Sequence, residues 1–84
     1  MPVFYVYILQ SQIDNSFYIG YTTNLDRRLK EHNSGKSRYT AKKIPWILVY
    51  SEKSADKTAA INRERFLKKQ RNRKFYCRLI QGDQ

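Results

Sequence analysis

Val3-Phe4-Tyr5-Val6-Tyr7-Ile8-Leu9-Gln10, followed by Ser16-Phe17-Tyr18-Ile19-Gly20-Tyr21, is the stretch that decides the fold. The first run is β-branched or aromatic almost throughout. Both faces of its pleat are therefore apolar, the pattern of a central strand covered on each side. Ser11 to Asn15 supplies turn-forming residues, and the second run reads as a returning strand, which makes a hairpin. A loop centred on residues 11–14 predicts Tyr7 and Tyr18 directly opposite each other. Gly20, two residues beyond Tyr18, shares their face and leaves space there for a ligand. Ordinary packing of strand aromatics is the plainer reading of the two tyrosines.

Outward from the hairpin, Asn24 is a good N-cap, and Leu25, Leu29 and His32 mark one face of a first helix with Gly35 at C′. Residues 36–45 read as a basic loop, and Trp46 to Tyr50 as a third strand. Ser54 can cap a second helix running to about Gln70. Asn72 can cap a third, with Phe75/Leu79 and Tyr76/Ile80 as i,i+4 pairs and Gly82 as the stop. The order ββαβαα predicts an α+β fold, a three-stranded antiparallel sheet covered by about three helices. The expected organisation is one domain over residues 1–84 with its core in 3–81.

The chain has 84 residues, so it holds one core and buries only about 60% of the surface its unfolded form exposes. Seven Tyr, four Phe and one Trp argue for a packed core over a disordered basic tail. No apolar run reaches the roughly 18 residues of a membrane span, and a signal-peptide pattern is missing, so the expected location is cytoplasmic. One cysteine, Cys77, and one histidine, His32, exclude an internal disulfide and nearly exclude a structural zinc site. Cys77 lies in an apolar run, where a buried structural thiol is favoured over a Cys–His nucleophile.

Formal net charge is +10, and all seventeen Lys and Arg fall at Arg27 or later. Eight of them crowd into residues 63–78. Such a field attracts polyanions by counterion release and predicts salt-dependent binding of nucleic acid, although like charges also keep a helix soluble. The candidate backbone contacts are Lys36, Arg38, Lys42 and Lys43 in the basic loop, with Lys68, Lys69, Arg71 and Lys74 near the C-terminal end.

Seven acids are too dispersed for a multi-carboxylate metal centre. Asp14 falls in a turn, Asp26 in a helix's first turn, Glu52 and Asp56 about the start of the second helix, and Asp83 in the tail. Glu64 differs, because it shares a helical stripe with Ala60, Ile61 and Leu67, the face turned toward the sheet. A carboxylate aimed there is costly unless it is paired or binds a metal. An i,i+4 ion pair with Lys68 and a metal site both satisfy the pattern. Arg28 and His32, four apart, share a helix face, where Arg28 either grips a phosphate or faces solvent.

Together these residues resemble the GIY-YIG nuclease superfamily, in its small stand-alone bacterial form. Tyr5-Val6-Tyr7 corresponds to the first motif, with the decisive tyrosine at Tyr7, and Tyr18-Ile19-Gly20 is the second motif intact. The segment Thr23 to His32 looks like the family's helix, its catalytic arginine falling on Arg28 and its histidine or tyrosine on His32. Gly35-Lys36, Tyr39-Thr40 and Leu48-Val49-Tyr50 are similar to the small members, and Glu64 with Lys68 matches their Glu-x-x-x-Lys pattern. Two departures stand out. Tyr21 replaces a lysine found in some relatives, and the asparagine beyond the glutamate has only Asn72 as a counterpart, at the wrong distance.

The resemblance implies a metal-dependent endonuclease, with DNA rather than RNA the expected substrate and one Mg²⁺ or Mn²⁺ held by Glu64. It implies Tyr7 as general base with a phenol depressed by Arg28 and the cation, and Arg28 as stabiliser of phosphoryl charge. Tyr18 then orients the phosphate or nucleophile, and His32 relays protons or holds the water. Repair or recombination, and a protein partner supplying specificity, are expected by analogy. The alternative is a binding module that keeps the nuclease fold with little or no cleavage.

Overall fold

The computed structural model describes residues 2–82; Met1, Asp83 and Gln84 lie outside the described residues. The elements run β1 (Phe4–Ser11), β2 (Phe17–Thr22), α1 (Leu25–Asn33), α2 (Arg38–Ala41), β3 (Trp46–Ser54), α3 (Lys57–Gln70) and α4 (Arg73–Gln81). The strands form one antiparallel sheet in the order β2-β1-β3, so the doubly apolar run is the central strand. Val6 and Ile8 pack on one face with Ile19, Ala60, Leu67 and Tyr76. Tyr7 and Leu9 pack on the other with Trp46, Tyr18, Leu25 and Leu29. Period-two alternation along one strand thus serves two cores. The α+β class and the three-stranded sheet are as expected.

The hairpin closes one residue later than the sequence suggests. Ser11 N–H donates to the Ser16 carbonyl (2.9 Å), and Asn15 takes a left-handed conformation with φ 63. The pairing is therefore Tyr7 with Gly20 and Leu9 with Tyr18 rather than Tyr7 with Tyr18. Moving the centre of a hairpin by one residue moves each partner by two. Tyr7 and Tyr18 accordingly stay on one face as diagonal neighbours, ring centroids 6.5 Å apart.

Two further differences concern the middle of the chain. The basic loop contains the single turn α2, and the third strand continues through Ser54 because residues 51–54 pair with residues 4–7 of β1. Ser54 is therefore a strand residue, and Asp56 caps α3 by accepting from Ala59 N–H at 2.8 Å. Asn24 and Asn72 cap α1 and α4 as expected, and Gly35 and Gly82 take positive φ beyond the ends of α1 and α4. At the corner between α3 and α4, Tyr76 Oη–H donates to the Leu67 carbonyl (2.6 Å) and accepts from Arg71 N–H (3.2 Å). Cys77 is partly buried on α4, not fully enclosed. Among the described residues no helix is long and apolar enough to cross a membrane.

Candidate active site

Tyr7 points from β1 toward α1 and is only 2% exposed. Gly20 sits across from it, and a Cβ there would lie 2.6 Å from the phenolic oxygen. The absent side chain therefore makes room for the Tyr7 ring, not for a ligand as the sequence suggested.

Helical spacing on α1 brings Arg28 and His32 to the same phenol. Arg28 Nε–H donates to Tyr7 Oη (3.4 Å), and His32 Nε2 lies 3.2 Å from that oxygen. His32 Nδ1 is 3.0 Å from Thr40 Oγ1 on α2. Arginine can only donate, so the phenolic oxygen accepts from Arg28, which leaves its own proton free for His32 Nε2. In that arrangement His32 carries its proton on Nδ1 and donates to Thr40 Oγ1.

α2 is held in place by the same network. Trp46 Nε1–H donates to the Thr40 carbonyl (2.9 Å), and the Asn33 side-chain amide clamps the Trp46 backbone at 2.6 and 2.9 Å. Tyr18 completes the cluster, its ring 4.7 Å from the His32 ring, centroid to centroid.

Electrostatics correct one expectation. Burial pushes the Tyr7 phenol above its ordinary value, and the hydrogen bond and charge of Arg28 draw it back only in part. The sequence-based expectation of a depressed phenol fails for the protein alone because desolvation outweighs one guanidinium at 3.4 Å. Burial, followed by the Arg28 charge, holds the His32 imidazole below its usual range, so it is a neutral acceptor at neutral pH. Arg28 is held above its ordinary value by hydrogen bonds to Tyr7 and then Glu31, the latter at 3.0 Å.

Glu64 lies on α3, with its side chain 17% exposed and Oε1 3.3 Å from Lys68 Nζ. The i,i+4 pair, one of the two readings the sequence left open, is thus present. The carboxylate is also near enough for its charge to raise the Tyr7 phenol. Among the described residues no three His, Cys, Asp or Glu side chains gather into a metal cluster.

The basic candidates divide by position. Lys36 shares a shallow depression with Arg28 and Glu31, and Lys68 lines a cleft with Tyr18. Arg38, Lys42, Lys69, Arg71 and Lys74 are exposed. Lys43 is different, because its ammonium pairs with Asp14 at 3.1 Å and so is partly neutralised internally. In return Asp14, held by Ser16 and then Lys43, is well below the usual carboxylate range.

Cys77 forms no pair with His32, both of whose ring nitrogens are engaged elsewhere. Sequence reasoning missed the roles of Thr40 and Glu31. Thr40 sits in a polar loop where no periodicity marks a buried position, and the only pointer was its place in the family-like Tyr39-Thr40 pair.

Comparison with known proteins places the chain in a family. The model of the GIY-YIG catalytic domain matches residues 3–76. A UPF0213 protein of Streptococcus pneumoniae serotype 4 is 44% identical over 68 residues, covering 80% of this chain and 68% of that protein. A UPF0213 protein of Staphylococcus haemolyticus is 46% identical over 65 residues, covering 76% and 78%. The solution NMR structure of a UPF0213 protein from Bacillus halodurans matches with a TM-score of 0.56 at 39% identity, covering 94% of this chain and 83% of that one. The chain belongs to the GIY-YIG catalytic domain family and carries its nuclease fold.

Proposed function

We propose that the chain is a divalent-metal-dependent endonuclease that hydrolyses phosphodiester bonds in nucleic acid, with DNA the substrate expected by analogy with the family. The observation that carries this reading is the convergence of Arg28 and neutral His32 on one buried phenol oxygen. Ordinary core packing does not require three titratable groups there, and their arrangement suits proton transfer beside a fixed positive charge.

The residues divide the work as follows. With a raised phenol, Tyr7 acts as a relay and not as a standing phenolate. A water gives its proton to Tyr7 Oη while the phenol proton passes to His32 Nε2, and the resulting hydroxide attacks phosphorus as the scissile P–O bond breaks and its oxygen departs as an oxyanion. The imidazolium so formed keeps its Nδ1–H on Thr40 Oγ1 and, because His32 is fully buried, returns the extra proton to Tyr7 Oη, whose own proton passes to the departing oxyanion or to solvent. Arg28, charged at every working pH, opposes the negative charge that builds on the phosphoryl oxygens. Tyr18, beside His32, orients the phosphate or the water.

The donor set fits one hard, largely hydrated cation, because Glu64 is partly buried and its salt bridge engages only Oε1. When bound there, Mg²⁺ or Mn²⁺ supplies charge that polarises the phosphate and stabilises the leaving oxyanion. Repair or recombination is the setting this reading carries by analogy with the family. Specificity then comes from substrate shape or a protein partner.

The test is single-turnover cleavage by purified Tyr7→Phe, Arg28→Ala and Glu64→Ala, each expected to lose at least about 100-fold with binding retained. Wild-type rates in all three variants sink the assignment. A second reading, a nucleic-acid-binding module with this fold and little cleavage, draws support from Lys68. Its ammonium already neutralises part of the Glu64 charge a cation would need. Intact binding with no cleavage in either metal would favour that reading.

A further inference from the structure

At the free edge of β2 lies a cleft of about 500 Å³ that reaches around the strand from one face of the sheet to the other. Its lining is Phe17, Tyr18, Ile19, Tyr39, Lys68 and Tyr76. Four of the six are aromatic, and the one charge is positive.

Two walls are rigid. Tyr76 is pinned by its hydrogen bonds at the α3–α4 corner, and Phe17 lies edge-on to it at 5.6 Å with the Arg73 guanidinium 4.6 Å from its centroid. Tyr39 is built differently. It projects from α2 with 75% of its surface exposed, its ring 5.9 Å from that of Tyr18, and it is flanked in sequence by Arg38 and the buried Thr40. A large ring left in water beside basic side chains has no role in the core below it.

We propose that this cleft receives one unstacked nucleobase next to the scissile phosphate, with Tyr39 as the stacking platform. Substrates would then be single-stranded, flapped or otherwise unpaired at that nucleotide. The proposal deepens the nuclease reading and rests on it for the identity of the ligand as nucleic acid.

Charge, size and chemistry favour this occupant. The chain carries net charge +10, which disfavours a second copy of itself. A volume near 500 Å³ lies within the range of small-ligand sites, about 300–1,000 Å³. A duplex keeps its base faces covered by their own stack and presents only edges, so aromatic walls recognise a base that has left the stack. Lys68 and Tyr18 belong to both the cleft and the site, and Lys68 is 3.3 Å from Glu64. A base held in the cleft therefore brings its phosphate to the residues assigned to chemistry.

The experiment measures equilibrium binding in EDTA, where no cleavage occurs. The probes are a fluorescein-labelled single-stranded oligonucleotide and a blunt duplex of the same sequence. Tyr39→Ala should weaken single-strand binding roughly 5- to 140-fold, the worth of about 1–3 kcal/mol for one stacked base, and leave duplex binding within about twofold. Tyr39→Phe should bind like wild type, since stacking does not need the hydroxyl. Equal losses on both probes, or no loss on the single strand, overturn the proposal. The nuclease reading fails separately: the expected binding split without any cleavage in Mg²⁺ or Mn²⁺ would remove the enzyme and leave the base cleft standing.

Discussion

A methyl group at Gly20 would land 2.6 Å from the Tyr7 phenolic oxygen and 2.8 Å from Cζ, closer than real carbon atoms approach. The ring cannot yield cheaply. It is 2% exposed and its oxygen is engaged by Arg28 at 3.4 Å and His32 at 3.2 Å. Overpacking a filled core typically destabilises by about 1–3 kcal/mol, while Gly→Ala returns about 0.4–1 kcal/mol by restricting the unfolded chain. The net expectation for Gly20→Ala is a loss of about 1–2 kcal/mol, or a melting temperature lower by about 4–16 °C for a domain of this size.

Tyr7→Phe removes the atom nearest the added methyl, so the penalty of Gly20→Ala should shrink in that background. Urea denaturation of both single variants and the double variant measures the coupling, expected at about 0.5–2 kcal/mol. If Gly20→Ala is as stable as wild type, or the two changes add within about 0.5 kcal/mol, the tyrosine does not occupy the space over Gly20. The site geometry would then be wrong at its centre.

Other consequences are independent of that contact. His32 is the chain's only histidine, so its titration can be followed by NMR without overlap. It should protonate below its ordinary 6.5; because the unfolded chain takes up that proton first, native stability should decline as pH falls through and below 6.5. A midpoint at or above that value would contradict its buried, Arg28-facing position. Thr40→Val should destabilise by about 1–3 kcal/mol by leaving His32 Nδ1 without its partner, and should redistribute the imidazole tautomers in ¹⁵N spectra. Thr40→Ser should restore both, and unchanged tautomers in the valine variant would show that the 3.0 Å contact is not a hydrogen bond. Neutralising Lys69, Arg71 and Lys74 together should flatten the salt slope of nucleic-acid binding by up to about 3, about 1 per residue, whereas Lys43→Ala should change it by well under that per-residue amount because Asp14 already pairs with that ammonium. An equal effect of Lys43 would place it on the binding track.

What the sequence made legible follows from where local chemistry dominates. Runs of β-branched and aromatic residues located the strands, helical spacing located the helices, and the Asn24 and Asn72 caps set two helix starts, because side-chain-to-backbone bonds act within a few residues. The residue types of the site were visible too, since Tyr7, Arg28, His32 and Glu64 lie on spaced motifs. Hairpin register was not, because a left-handed Asn15 decides it and the adjacent Asp14 is also a residue type that tolerates that conformation. Ser54 misled for a similar reason. It can cap a helix, but strand pairing with Phe4 wins and Asp56 does the capping.

The direction of the Tyr7 shift depends on burial weighed against one charge, which no spacing encodes. Thr40 shows the same limit, since its burial comes from Trp46 and His32 meeting over α2. Both are properties of packing between elements, and only the folded chain displays them.

The most direct measurement is the time course of strand scission by the purified protein on labelled branched, flapped and linear DNA. It should be run in Mg²⁺, in Mn²⁺ and in EDTA, beside Glu64→Ala purified identically. Metal-dependent cuts by the wild type that fall at least about 100-fold in the variant are the predicted result. Equal cutting by both preparations, which marks a contaminant, or no cutting of any substrate by either, contradicts the claim that these side chains form a working nuclease centre.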